Sequence, residues 1–145
     1  AQDWYAAAGK REIARAAPMV VSTTGDLVAM LGVENPPGED LTIEQVMGAE
    51  SDKASPIVLM GDSHTLVFHD RELLADRAGL PGHLAADLGI AVDLVGVRGS
   101  GANASRIALA RRKDNLAGKK CLVWVFAARE FTESLEGWKM IPVIR

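Results

Sequence analysis

Gly61-Asp62-Ser63-His64 places a carboxylate, a hydroxyl and an imidazole in a row directly after an apolar run. A serine two residues past a strand, leading into a helix-like stretch, presents its hydroxyl where backbone N–H groups point outward. That suits nucleophilic attack on an acyl carbon, with the N–H groups stabilising the oxyanion. It also suits a plain helix cap, a role open to Ser63 and Asp62 alike. A second segment, Arg98-Gly99-Ser100-Gly101-Ala102-Asn103, offers a glycine turn. Gly99 and Gly101 either let the backbone approach a ligand or satisfy a turn that needs positive φ. Asn103 either donates its amide to the same oxyanion or caps the helix that follows. The spacing is no nucleotide fingerprint, lacking both Gly-x-Gly-x-x-Gly and a Walker lysine. A third segment is Ala127-Ala128-Arg129-Glu130, where Arg129 can bind an anionic substrate or pair with a neighbour such as Glu130.

A serine nucleophile needs a base, usually histidine backed by a carboxylate. His64 adjoins Ser63, and adjacent side chains on a tight turn usually diverge. His69 lies six residues on, beside Asp70. His83 follows Pro81-Gly82 and reads as a surface helix start. None has a spacing that demands a dyad with Ser63. Trp124 and Trp138 read as core or interface aromatics, with sugar stacking as the functional option. Cys121 sits in a strand-like run and reads as a small core residue rather than a nucleophile. One cysteine and three scattered histidines give no metal-ligand spacing, so neither a metal nor a cofactor is expected.

These segments need a scaffold that brings them together. Ile57–Met60, Ala91–Val97 (broken only by Asp93) and Cys121–Phe126 are apolar runs of strand length, as in strands buried on both faces of a parallel sheet. Helical stretches are expected between them, at 71–78, 83–88 and 104–113. The β-α-β-α-β order predicts an α/β fold, three-layer α/β/α with a mostly parallel, flavodoxin-like sheet and right-handed crossovers. Ligands in such sheets bind beyond the carboxyl ends of the strands, where all three polar segments fall. Upstream, Ala6–Ala17 reads as a helix closed by Pro18, Thr24 starts a second short helix, and Thr42 with Gln45 has capping-box spacing. Ile141–Ile144 is a candidate last strand.

Residues 1–145 read as one domain, with 48% hydrophobic and 24% charged residues, which are ordinary globular values. Sixteen basic residues against 19 acidic ones do not make a nucleic-acid footprint. The cluster Arg111-Arg112-Lys113, with Lys119 and Lys120, reads as a solvated helix end and loop. No apolar run approaches the roughly 20 residues that span a bilayer, and no leader is visible. A leader already removed, or a start inside a longer gene product, would both fit.

Val58-Leu59-Met60-Gly61-Asp62-Ser63-His64 resembles the nucleophile block of the SGNH/GDSL hydrolase superfamily. More narrowly, Gly61-Asp62-Ser63, the Val97–Asn103 glycine turn and the stretch Val123–Phe131 resemble the SGNH-like O-acetyltransferases of alginate and related exopolysaccharides. The last is similar to the family's Trp-x-Phe-x-x-Arg-Glu-Phe segment, which Gly137-Trp138 continues, and Gly25-Asp26-Leu27 resembles a segment upstream. The resemblance implies an α/β/α SGNH fold and transfer of an acyl group to a carbohydrate hydroxyl, or esterase-like hydrolysis. It implies Ser63 as nucleophile, with the Ser63 N–H and the Gly99–Asn103 turn as oxyanion region. It further implies a polysaccharide acceptor, an acyl donor, a membrane-bound acyltransferase partner and a periplasmic location. The family usually takes its Asp and His from an upstream Asp-x-His-Trp motif. Here that place is Ala1-Gln2-Asp3-Trp4, with alanine at the Asp position and Asp3 at the His position. No histidine follows His83, and a block-three asparagine is not evident. Three readings follow: a degenerate module that binds carbohydrate or an acetylation partner, His64 or His69 as substitute base, or a base on a segment outside this chain.

Overall fold

The computed structural model describes residues 3–25, 28, 30–99, 101–135 and 137–144. Its centre is a three-stranded parallel sheet of β5 (Ile57–Gly61), β6 (Asp93–Gly96) and β7 (Cys121–Val125), in the order β6-β5-β7. Every residue of β5 is buried, as the unbroken Ile-Val-Leu-Met run predicts for a strand covered on both faces. Alternate side chains divide the core. Ile57 and Leu59 pack with Ile90 and Val92, under Trp4 and Tyr5 of helix α1 (Asp3–Ala7) and Leu84 and Leu88 of α2 (Leu80–Leu88). Val58 and Met60 pack on the other face with Val95 and with Leu109 of α3 (Gly101–Arg112).

The connections explain these two faces. From β5 the chain passes through α2 to β6 on one side. It then reverses, crossing through α3 to β7 on the other side of β5. Two crossovers of the same hand that run in opposite directions must lie on opposite faces. α2 is sharply bounded, with Pro81 in its first turn and Gly89 closing it in the left-handed conformation (φ 66°).

Several sequence expectations give way upstream and at the ends. The alanine-rich 6–17 segment is not one helix. Past Gly9 the chain extends, and Ala14–Arg15 (β1) pairs antiparallel with Val46–Met47 (β4). Ile13 is buried there against Val46, Ala49 and Ala85, so tertiary burial overrides alanine's helix preference. Thr42 starts no helix: Glu39–Ile43 (β3) pairs with Met19–Thr23 (β2), Thr42 opposite Val20. The short helix expected from Thr24 falls partly on Asp26, Leu27 and Ala29, outside the described residues. The 71–78 stretch forms turns, and Ile141–Ile144 forms no strand. Cys121 is exposed, because β7 is an outer strand rather than a central one.

The basic cluster after α3 is not wholly solvated. Asp93, fully buried at the start of β6, takes Arg112 at 2.6 Å and Lys119 at 2.8 Å on its Oδ2. Burial pushes the Asp93 carboxyl up, but hydrogen bonds and charge from Arg112 and Lys119 outweigh it and hold the group below the usual range. Among the described residues, no helix is long and apolar enough to cross a membrane.

Candidate functional site

Gly61 pairs with Gly96 on one side and with Val125 on the other, so the three strands end level. The segments that follow therefore leave the same edge of the sheet. The order β6-β5-β7 puts the reversal of strand order between β5 and β7, where such sheets open a crevice. Gly61 is required there by space. A Cβ would stand 1.9 Å from Thr65 Oγ1 and 2.5 Å from the Val125 carbonyl oxygen.

Beyond Gly61, Asp62 caps a single 3-10 turn, Ser63–Thr65. The expected helix behind Ser63 is thus only one turn long, and no long helix dipole backs its hydroxyl. Asp62 is 3% exposed, and its Oδ1 accepts from the His64 backbone N–H at 2.9 Å. The same oxygen lies 3.0 Å from Nδ1 of the half-exposed His64 ring. The Thr65 N–H donates to the Asp62 carbonyl. Ser63 is half-buried. Neither its Oγ nor its own N–H has a hydrogen-bond partner among the described residues. Of the groups the sequence offered for an oxyanion at this turn, only the Ser63 N–H remains uncommitted.

At the end of β6, Arg98 reaches back to Asp70 (2.5 Å) and Glu72 (2.8 Å). The hydrogen bond from Arg98 is the main cause holding the Asp70 carboxyl below its usual range. These pairs brace the turns after Ser63 against β6. Gly99 follows in the left-handed region (φ 72°) with open space around it, and Ser100 lies outside the described residues. Gly101 opens α3, and its missing Cβ makes room for Glu130, whose Oε1 would stand 2.0 Å away. The Ala102 N–H donates to Glu130 Oε2 at 3.1 Å. A carboxylate of the chain itself thus sits at the N-terminus of α3, where an oxyanion was expected. Asn103 Oδ1 accepts from Arg106 at 2.6 Å, which leaves its amide NH2 without a partner among the described residues.

After β7, the short helix α4 (Arg129–Thr132) carries Arg129, exposed and without an ion pair among the described residues. Trp124, Phe126, Phe131 and Trp138 form one aromatic cluster with ring centroids 4.9–5.6 Å apart. The Arg106 guanidinium lies 5.5 Å from the Trp138 ring and 5.8 Å from Trp124. The Trp138 indole donates to the Glu130 carbonyl at 3.2 Å. Trp124 packs against the Val58, Met60 and Leu109 core, and with Trp138 it also joins β7 to the chain that follows. Beside them a shallow cavity of about 330 Å³ is lined by Asn103, Glu133, Ser134, Leu135, Gly137 and Lys139.

The three histidines stand in different places. His64 alone is on the serine's turn. His69 lines a separate cleft with Glu50, Ser51, Asp76 and Arg77. Its Nδ1 is buried without a partner, and burial lowers the imidazole pKa against the opposing pull of Asp70 and Asp76. His83 is half-buried, with Nε2 3.1 Å from the Glu44 carbonyl oxygen. Trp4, next to Asp3, packs on the Ile57 cluster and lines a cavity with Leu88 and Cys121 near the start of β5 and β7. Ser63 lies past the other end of β5, more than about 13 Å along the strand at ~3.3 Å per residue. Sequence reasoning missed the Asp62–His64 bond, because it runs from residue i to i+2 and passes over the serine. It also missed Arg98 as a brace and Glu130 as the group at α3.

The fold is of the α/β class: a parallel sheet with helices on both faces and a rim of polar loops at its carboxyl edge. No family model matches the chain, and no curated protein matches it by sequence. Among solved structures, AlgX of Pseudomonas aeruginosa superposes with a TM-score of 0.57 at 17% identity, over 83% of this chain. This chain spans 27% of the length of AlgX. At that identity the likeness is one of fold.

Proposed function

We propose that the chain is an SGNH-like module of three α/β/α layers whose carboxyl edge performs acyl transfer on an exported polysaccharide through Ser63. The observation that carries this reading is the level ending of the three strands, which brings the Ser63 turn, the glycine turn and the Arg129–Glu130 segment to one rim. Support comes also from the fold likeness to AlgX and from the resemblance to alginate-type O-acetyltransferases. In the proposed reaction, Ser63 Oγ bonds to the carbonyl carbon of an acyl ester while His64 Nε2, which shares no hydrogen bond with Oγ in the unliganded chain, takes its proton directly or through one water. The Ser63 N–H meets the oxyanion, with the Asn103 amide as second donor. The donor's ester C–O bond breaks and its alcohol leaves with that proton. A sugar hydroxyl or water then attacks the acyl-serine, passes its proton to Nε2, and Ser63 recovers it. Arg129 is assigned to an anionic part of the substrate. The periplasmic location and the membrane-bound acyltransferase partner belong to the same proposal.

Mass measurement of the intact chain after exposure to 4-nitrophenyl acetate tests it. One acetyl group on Ser63, absent from Ser63→Ala, is expected. No adduct, or the same adduct in the variant, overturns it.

A second reading is a non-catalytic module that binds carbohydrate or an acetylation partner. Glu130 favours it, since its carboxylate already takes an N–H at the head of α3. Under this reading Ser63→Ala leaves oligosaccharide binding intact and Arg129→Ala weakens it in calorimetric titration.

A further inference from the structure

Asp62 is nearly excluded from solvent, yet no lysine or arginine pairs with it among the described residues. Its side-chain hydrogen bonds go to one neighbour: Oδ1 meets both the backbone N–H and Nδ1 of His64. An ionised carboxylate only accepts, so the proton in the Nδ1 contact sits on Nδ1. That leaves the lone pair of the neutral ring on Nε2, which has no partner among the described residues, on a side chain 51% exposed. The two bonds to one oxygen, made within a three-residue turn, fix the ring's orientation without help from any distant element. A cap alone would need only the first bond, and a serine in place of Asp62 would supply it. The second is the arrangement that makes an imidazole a directed proton acceptor.

We propose that Asp62 is a positioning residue that holds His64 as the Nδ1–H tautomer, with Nε2 turned to the rim as proton acceptor. Asp62, Ser63 and His64 then form a contiguous unit in which the carboxylate serves the imidazole across the serine. Its use in acyl transfer rests on the reading of Ser63 given above; the tautomer does not.

Long-range ¹H–¹⁵N NMR of the full chain at mildly alkaline pH reads the tautomer directly. The native chain is expected to show a protonated Nδ1 and an unprotonated Nε2 at His64. Asp62→Ser, which keeps a cap but is too short to reach the ring, is expected to shift His64 toward the Nε2–H form. Its serine acetylation is expected to fall by about 10²- to 10⁴-fold, as for a triad left in the wrong tautomer. A native His64 already in the Nε2–H form overturns the proposal, and this measurement needs no variant. An unchanged tautomer in Asp62→Ser, or a shifted tautomer with unchanged acetylation, overturns it as well. If the native chain shows the Nδ1–H form but never acetylates Ser63, the positioning stands and the acyl-transfer reading falls.

Discussion

Two buried aspartates stand at opposite ends of the parallel sheet. Asp93, at the start of β6, faces two cations, both on its Oδ2, while its buried Oδ1 has no hydrogen-bond partner among the described residues. Asp62, past the end of β5, faces one half-exposed imidazole whose far nitrogen has no partner among the described residues. The first arrangement ties the end of α3 and the loop after it to the sheet. The second leaves one proton-accepting atom uncommitted beside an unpartnered hydroxyl. Burial of a carboxylate is therefore no sign of function by itself; what separates the two is whether its partner has capacity left over.

The largest effect expected from breaking this contrast is at the open end. Ser63→Ala should lower acetylation by at least about 10³-fold, while its thermal midpoint stays close to that of the native chain. A variant that acetylates normally would erase the distinction. At the closed end, Arg112→Ala combined with Lys119→Ala leaves Asp93 buried and unanswered. Such a loss costs about 3–5 kcal/mol, which urea unfolding would register. A cost below about 1 kcal/mol would show that Asp93 is not held by these cations. Between the ends, Gly101→Ala forces a methyl into the Glu130 carboxylate, at a cost of about 1–3 kcal/mol. Glu130→Ala should relieve part of it, so the double variant should be more stable than the sum of the two predicts. The smallest effect is in acid. His69 is held below its ordinary 6.5 by burial, so its share of stability is present above about pH 6.5 and lost as pH falls toward its folded value. Asp93, also depressed, loses its share further down, as pH drops through its own folded value. His69→Leu should remove the first loss and leave the second, seen as unfolding midpoints across the pH range.

The central sheet was readable because Ile57–Met60, Ala91–Val97 and Cys121–Phe126 are apolar runs of strand length; the burial expected of them holds for all of β5 and not for β7, whose residues are exposed or half-buried. α2 and α3 were readable from their ends, with Pro81 and Gly89 bounding one and the glycine turn opening the other. The 6–17 and 42–45 segments were not, because a partner strand settles them: Ala14 lies opposite Met47, and Thr42 opposite Val20. Local propensity carries no record of such partners. The polar rim was readable as a place and less so as a set of bonds. Glu130 and Ala102 are far apart in sequence, and their meeting depends on where two strands end. Asp62 and His64 are two residues apart, but their bond depends on a backbone turn that residue types alone do not announce.

The level strand ends also set the tolerance of the rim to error. A slip of one residue in the pairing of β5 with β7 would carry Ser63 about 3.3 Å past Arg129 and exchange the two faces of the strand. Leu59 and Met60 would then trade cores, so such a slip is rejected by the packing before it can blunt the chemistry. The alignment of the loops is in this sense inherited from the ladder beneath them, and lengthening a loop beyond the rim would re-aim a side chain without disturbing that ladder.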